Sequence, residues 1–463
     1  MKLFNTETRR LEEVPLKKIK MYTCGPTIYD FAHIGNFRTY VFEDVLRRTL
    51  RFLGRPVEQA MNLTDVDDKT IRGAIAKNVA LTVFTDPFKK AFFEDMQTLG
   101  IEPVEHYPAA TDYIQHMIAM IQTLLDKKIA YKAPSGSVYF AISRFPRYGR
   151  LSHFDLSDLK VNASGDNEAD EYEKGSLSDF VLWKAYDPTR DGQIYWESPF
   201  GKGRPGWHIE CSAMATHILG DTIDIHCGGV DNMFPHHENE IAQSEGCSGK
   251  PFVRHWVHVE HLLVDHRKMS KSLGNFYTLR DLLQKGYSGA EVRYLLLATH
   301  YRTQLNFTFA GLDGARASLA RIRDCFARLS TVPKGHLGQS MQETLAMRED
   351  EFKAALADDV NTSVALAALF ELIRELNAAI DHGTLLYEDA EQAILLFRRI
   401  DQVLGVIEAD AMIIPSDVAA LLERREKARL QRDFSLSDQM RQAILEKGYV
   451  IEDTPQGARL KKR

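Results

Sequence analysis

A chain of 463 residues exceeds one ordinary hydrophobic core and calls for two to four domains. With 44% hydrophobic and 26% charged residues it has the make-up of a soluble globular protein, and the absence of any run of eighteen apolar residues excludes a membrane-spanning helix. The net charge of −6 excludes a uniformly basic nucleic-acid binder, yet residues 411–463 hold eleven Lys/Arg against eight Asp/Glu, so a basic end module at +3 sits on a body at −9.

The opening MKLFNTETRR turns polar before a signal-peptide core could form, and a cytoplasmic protein is expected. Five cysteines, at 24, 211, 227, 247 and 325, make no CxxC pair, so disulfides are not expected. Met21-Tyr22-Thr23 reads as a buried strand that Gly25-Pro26 must end in a turn. From Arg38 the apolar positions Val41, Val45, Leu46, Leu50 and Leu53 recur at helical spacing, which puts His33-Ile-Gly-Asn36 at a helix N-terminus. Unpaired N–H groups and the helix dipole favour a phosphate there, His33 and Asn36 add side-chain donors, and Gly35 lets a ligand approach the backbone. Residues 56–63 read as a second strand. Strand, helix, strand implies a parallel α/β sheet with its site at the C-terminal strand ends, where Cys24, His33 and Thr64 all fall.

A helical stretch follows to about Leu99, and another runs from Ile114 to Leu125. From Ala130 to about Ser198 the texture changes to short strands and turns around the acidic segment 162–173, which reads as an insertion with a mobile loop. The sheet resumes near Gly206-Trp207-His-Ile-Glu-Cys211, Ile223–His226 gives a buried strand, and Gly228-Gly-Val-Asp231 is a glycine-rich turn. Pro235 then introduces His236-His-Glu-Asn-Glu240 at a helix start. After a strand at 256–264, Lys268-Met-Ser-Lys271-Ser offers two lysines on a Ser/Gly-rich loop, a suitable clamp for phosphates. Beyond Ala310 three amphipathic helices, around 312–329, 366–380 and 393–404, predict a bundle. Pro415 marks a linker to a small module that opens with a basic helix from Val418 to Phe434.

Zinc takes four ligands drawn from Cys, His and carboxylate. His236 and Glu240, four apart, share a helix face, and by spacing His237 with Glu240 is nearly as good. Cys24 and Cys211 are expected at two different strand ends, which spacing alone does not bring together.

HIGN near the N-terminus and KMSKS more than two hundred residues later resemble the paired signature of class I aminoacyl-tRNA synthetases. CGPTIYD, NLTDVDDK, GRPGWHIECSAM, DIHCGGVDNMFPHHENEIAQ and KMSKSLGNF narrow the resemblance to the cysteinyl-tRNA synthetase family, along the whole chain. The one departure is Asn36 where the first motif has a second histidine; asparagine also donates.

The resemblance implies an α/β, Rossmann-type parallel-sheet catalytic domain with an insertion, an α-helical bundle and a small C-terminal module. The first half of the sheet takes 1–129, an acceptor-end insertion 130–198, the second half 199–262, the KMSKS loop and connecting domain 263–310, the bundle 311–408 and an anticodon-binding module 415–463. It implies one zinc held by Cys24, Cys211, His236 and Glu240, which would take the substrate thiolate and reject serine without an editing domain, and a cysteine pocket completed by Thr64, Trp207 and His226. His33, Gly35, Asn36, Lys268 and Lys271 are assigned to the phosphates of ATP, with accompanying Mg²⁺, and Asp231 to the ribose. The implied partners are L-cysteine, ATP and tRNA(Cys), with no membrane and a monomeric chain. A cysteine:amino-sugar ligase of the mycothiol pathway shares the core but lacks the long C-terminal region, and a catalytically silent RNA-binding or zinc-sensing protein would have no need of intact phosphate donors.

Overall fold

Side chains of the strand Ile19–Thr23 alternate between two buried faces. In the computed structural model, which describes residues 1–463 apart from 154–159, 162–175, 178, 336–337, 408–415, 432, 455–456 and 463, this strand lies inside a four-stranded, all-parallel sheet. The order is Val253–Val259, Ile223–Gly229, Ile19–Thr23, Val57–Met61, and the register sets Tyr22 between His226 and Ala60. The helix Ile34–Phe52 supplies the crossover that two parallel neighbours need.

Met21, Ile225, Cys227 and Val257 join a core with Phe37, Val41 and Leu46 of that helix, whereas Tyr22, Ala60 and Trp256 join a second core with Ile209 and Met214 of the helix Trp207–Leu219. With both faces covered, the strands are apolar nearly throughout. The same alternation sorts the thiols. Cys24 falls with Tyr22 in the core shared with Trp207–Leu219, and Cys227 turns into the other. No disulfide is formed among the described residues, and no helix among them is long and apolar enough to cross a membrane.

The insertion is a separate antiparallel sheet in the order Gly203–Pro205, Phe180–Ala185, Val138–Phe140, Ala130–Lys132. Strand pairing carries it to Pro205, beyond the expected end at Ser198, and the acidic segment 162–173 lies outside the described residues. Charged side chains tie this sheet to the helix Asp68–Lys77: Asp68 accepts from Lys184 Nζ at 2.9 Å and from Arg204, which also donates to Asp191 at 3.0 Å. Burial would raise the Asp68 carboxyl, but Arg204 and Lys184 hold it at about 2, below its ordinary 3.8. A lowered carboxyl gives its full stabilisation above the unfolded value and loses it as pH falls through the folded one. Wild type should therefore be more resistant to urea than Asp68→Asn above pH 4, with the two converging towards pH 2; a pH-independent gap would contradict this.

The segment after the second half of the sheet pairs Leu262–Val264 with Arg267–Lys268 and with Leu305–Phe307. Asp265 and His266, at φ 48° and 61°, make the two-residue turn that puts Lys268 at the start of the KMSKS loop. Four helices follow, Phe309–Leu329, Gln342–Ala357, Thr362–Asp381 and Tyr387–Leu404, one more than the three expected. The extra helix, QETLAMREDEFKAALA, buries only Leu345, Phe352, Ala355 and Leu356 among its charges, too sparse a stripe to read as a period.

Arg293, fully buried, joins the catalytic region to the bundle: it donates to Asp44 Oδ2 at 2.5 Å, Leu404 O at 2.6 Å and Leu99 O at 3.2 Å. Asp44 keeps Arg48 at 2.8 Å when Arg293 is removed, so Arg293→Met should fall at the low end of a broken buried pair, about 3 kcal/mol. A loss under about 1 kcal/mol in denaturant unfolding would show the link to be incidental.

Residues 416–462 form two helices, Ser416–Leu430 and Phe434–Glu446, and the hairpin Tyr449–Thr454 with Gly457–Lys462, around Val418, Ile444, Tyr449 and Ile451. The single basic helix expected from Val418 to Phe434 ends at Leu430, because Asp433 caps a new helix by accepting from Leu436 N at 3.0 Å. Pro415, read as a linker, lies outside the described residues.

Candidate active site

His33 is the N-cap of Ile34–Phe52. Its Nδ1 accepts the Asn36 N–H at 3.2 Å, while Asn36 Oδ1 accepts the His33 N–H at 3.1 Å, a closed capping box. An accepting Nδ1 leaves the proton on Nε2, and Asn36 Oδ1 is used while its NH₂ is not, so each side chain keeps a donor. Burial and the nearby Lys271 lower the His33 pKa, against the opposing charge of Asp231, and the ring stays neutral at pH 7. Gly25 has no alternative: a Cβ there would stand 1.8 Å from the Asn62 carbonyl oxygen. At Gly35 a Cβ would meet the His33 ring at 3.0 Å and Met269 Cε at 3.1 Å, so the glycine also makes room for the KMSKS loop.

That loop closes on the same helix end. Ile34 N–H donates to Tyr277 O at 3.0 Å, and Phe276 stands edge-on to His33 at 5.2 Å with Lys271 Nζ 5.1 Å from its centroid. The Lys271 ammonium is held by Asp30, a partner more than two hundred residues away that no spacing singles out. Lys268 is exposed, and its carbonyl accepts from Asn275 Nδ2 at 3.2 Å. Asp231, exposed on the turn Val230–Asn232, shares this neighbourhood through its charge on His33.

Beside it, Cys24, Cys211, His236 and Glu240 are all buried, with one donor atom from each within 4.8 Å of every other. Cys24 comes from the strand end as expected. Cys211 does not: it lies in the second turn of Trp207–Leu219. Because that helix is buried from His208 to Ala215, its apolar residues at 207, 209 and 211 mimic strand alternation, which explains the misreading.

A second set, Cys24, His226, His237 and Glu240, is equally close. His237 places Nε2 3.2 Å from Cys24 Sγ, while its Nδ1 meets His258 at 2.8 Å and His258 meets Thr6 Oγ1 at 2.7 Å. Glu240 sits between His236 at 3.1 Å and His226 at 3.0 Å. The hydrogen bond from Cys24 and the charge of His236 bring the Cys211 thiol down to about 6, and His226 and His236 hold Glu240 at about 2 despite burial. Two anionic donors with a second thiol and an imidazole suit a soft divalent cation, so the residues fit the implied ion.

The match to the description "tRNA synthetases class I (C) catalytic domain" covers residues 10–317, and a DALR domain covers 351–408. A protein of Protochlamydia amoebophila named cysteine–tRNA ligase is 58% identical over 100% of this chain and 98% of its own length. Another of that name from Chlamydia muridarum is 53% identical over 99% of each chain. The chain belongs to the cysteinyl-tRNA synthetase family. Among solved structures it is similar to Mycobacterium tuberculosis methionyl-tRNA synthetase in complex with methionyl-adenylate, at TM-score 0.61 and 14% identity over 91% of this chain and 96% of that one, a likeness of fold alone. The amino-sugar ligase alternative finds no support in these relatives, which run the full length of the chain.

Within this synthetase fold, the residues assigned to the cysteine pocket surround the Cys24–Glu240 cluster. Trp207 stacks on His236 at 4.1 Å and 24°, His226 is fully buried against Trp256 at 4.6 Å, and Thr64, buried, accepts from Asn62 Nδ2 at 3.1 Å. The sequence reading missed the chain His237–His258–Thr6 and the buried Glu210 beside Thr64, whose carboxyl is pushed well up by burial and by Cys211. His258, two residues after Trp256 and so on the same strand face, was the available signal for the first; Glu210 next to Cys211 gave none.

Proposed function

We propose that the chain activates L-cysteine with ATP and transfers it to the 3′-terminal ribose of tRNA(Cys). The observation that carries this is the closing of two segments more than two hundred residues apart, HIGN and KMSKS, on one helix end, which the turn at Gly228-Gly229 joins to the Cys24–Cys211–His236–Glu240 cluster: a Cβ at Gly228 would stand 2.9 Å from His237, and one at Gly229 3.8 Å from Thr39 of that helix. Zinc held by those four residues would supply a soft Lewis acid that favours a thiolate over a serine hydroxyl, a distinction an apolar wall makes by only about 1–3 kcal/mol.

The chain's own residues do the rest by positioning and charge. His33 Nε2–H, the Asn36 side-chain amide and the Gly35 N–H in the first turn donate to the triphosphate, Lys268 and Lys271 cover the β- and γ-phosphates, and Asp231 accepts from the ribose. Thr64, Trp207 and His226 orient the amino acid so that its carboxylate oxygen attacks the α-phosphorus in line. An O–P bond forms, pyrophosphate leaves, and Mg²⁺ travels with the nucleotide. In the second step a ribose hydroxyl attacks the acyl carbon, losing its proton, and AMP departs. The insertion holds the acceptor end, and the basic module after residue 415 reads the anticodon. A cytoplasmic, monomeric chain completes the proposal.

Pyrophosphate exchange dependent on cysteine, followed by transfer of label to tRNA or to glucosaminyl-inositol, tests it. Exchange with transfer to tRNA alone is expected; transfer to the amino sugar would overturn it.

A further inference from the structure

Two rings on the loop ahead of His33 take no part in the chemistry above. Tyr29 and Phe31, one residue apart, keep 38% and 41% of their surface exposed. Each lies beneath a cation: Lys69 Nζ is 5.3 Å from the Tyr29 centroid, and the Arg280 guanidinium is 5.2 Å from that of Phe31. Phe31 is braced edge-on by Phe88 at 5.5 Å, and Arg280 is anchored by Glu94 at 2.9 Å and Asp95 at 3.2 Å. Between the two rings Asp30 holds Lys271, so the pair stands on the rim of the pocket that HIGN and KMSKS enclose.

Apolar residues exposed singly need no explanation. A braced pair of half-exposed rings suits single-stranded nucleic acid, because any base can stack on a ring face; Lys69 and Arg280 hold the rings in place, with the Arg280 charge already matched by Glu94 and Asp95. We propose that Tyr29 and Phe31 form a stacking platform for the unpaired 3′-terminal nucleotides of the RNA acceptor. The platform rests on the function proposed above: the terminal ribose hydroxyl must reach the acyl carbon inside the pocket, so the nucleotides just before it must cross this rim. The adenine of ATP has the same π-face, and the test separates the two sources.

Tyr29→Ala, Phe31→Ala and the double variant are assayed for cysteine-dependent pyrophosphate exchange without RNA, and for single-turnover transfer from enzyme-bound adenylate to tRNA. Exchange is expected to stay within about twofold of wild type while transfer falls about tenfold or more per ring lost, with Tyr29→Phe and Phe31→Tyr close to wild type. Unchanged transfer in the double variant, with wild type active in both assays, would overturn the platform alone. An equal fall of exchange and transfer would overturn it too, by assigning the rings to ATP or to the fold. No exchange in wild type would overturn the function and the platform together.

Discussion

Cys211→Ser is expected to lower cysteine-dependent pyrophosphate exchange about 10⁴-fold and to bring bound zinc well below one ion per chain. Sites built to engage one particular polar group reject its lack by about 10⁴–10⁵, and under the proposed function that discrimination would depend on the ion. Cys211 is the donor to change because two neighbours already prepare it as a thiolate: the hydrogen bond from Cys24 and the charge of His236 bring it down to about 6. A seryl hydroxyl at the same place is neutral at pH 7 and a far poorer ligand for a soft ion. Exhaustive chelation of wild type should reproduce the loss, and zinc alone should restore it. Full exchange by Cys211→Ser, or by metal-free wild type, would remove the ion from substrate recognition.

Lys271→Ala should slow exchange by roughly 10²–10³, the usual effect of removing one donor to developing charge, and leave zinc content unchanged. Two contacts shape this expectation. The ammonium stands close enough to His33 to affect its titration, which puts it at the same helix end, and at rest it is held by Asp30 on a surface where an ion pair is worth less than about 1 kcal/mol. Such a tether yields readily to a triphosphate. Asp30→Asn should therefore leave exchange nearly intact, whereas normal exchange by Lys271→Ala would exclude that lysine from the mechanism.

How far the sequence could be read depended on whether a local period survived burial. The helix after His33 and the strands on either side announced themselves because their apolar positions repeat at 3.6 or run unbroken between turn residues. Trp207–Leu219 did not. A helix buried on nearly all sides has no polar stripe, so Cys211 was placed on a strand. The helix Gln342–Ala357 failed in the opposite way, with four buried residues lost among charges.

The cluster shows the same division. His236 and Glu240 share a face at any helical spacing, but spacing alone could not choose His236 over His237. The structure brings both within reach of the thiols: His237 Nε2 lies 3.2 Å from Cys24 Sγ while its Nδ1 meets His258, and His236 Nε2 lies 3.1 Å from Glu240 while its Nδ1 meets His208 at 2.9 Å, so the choice of His236 rests on the family resemblance. That Cys24 rather than Cys227 meets Cys211 follows from strand alternation, but only once the register is known. Asp30, Tyr29 and Phe31 carry no spacing signal, since their significance lies in Lys271, Lys69 and Arg280, which come from elsewhere in the chain.

In the proposed function, recognition of a thiol and activation by a nucleotide share one pocket. Pyrophosphate exchange by the purified wild-type chain, with cysteine and serine supplied in turn and no RNA present, tests it most directly. Robust exchange with cysteine and at least about 10⁴ less with serine is predicted. Comparable exchange with the two amino acids, or none with cysteine, would contradict it.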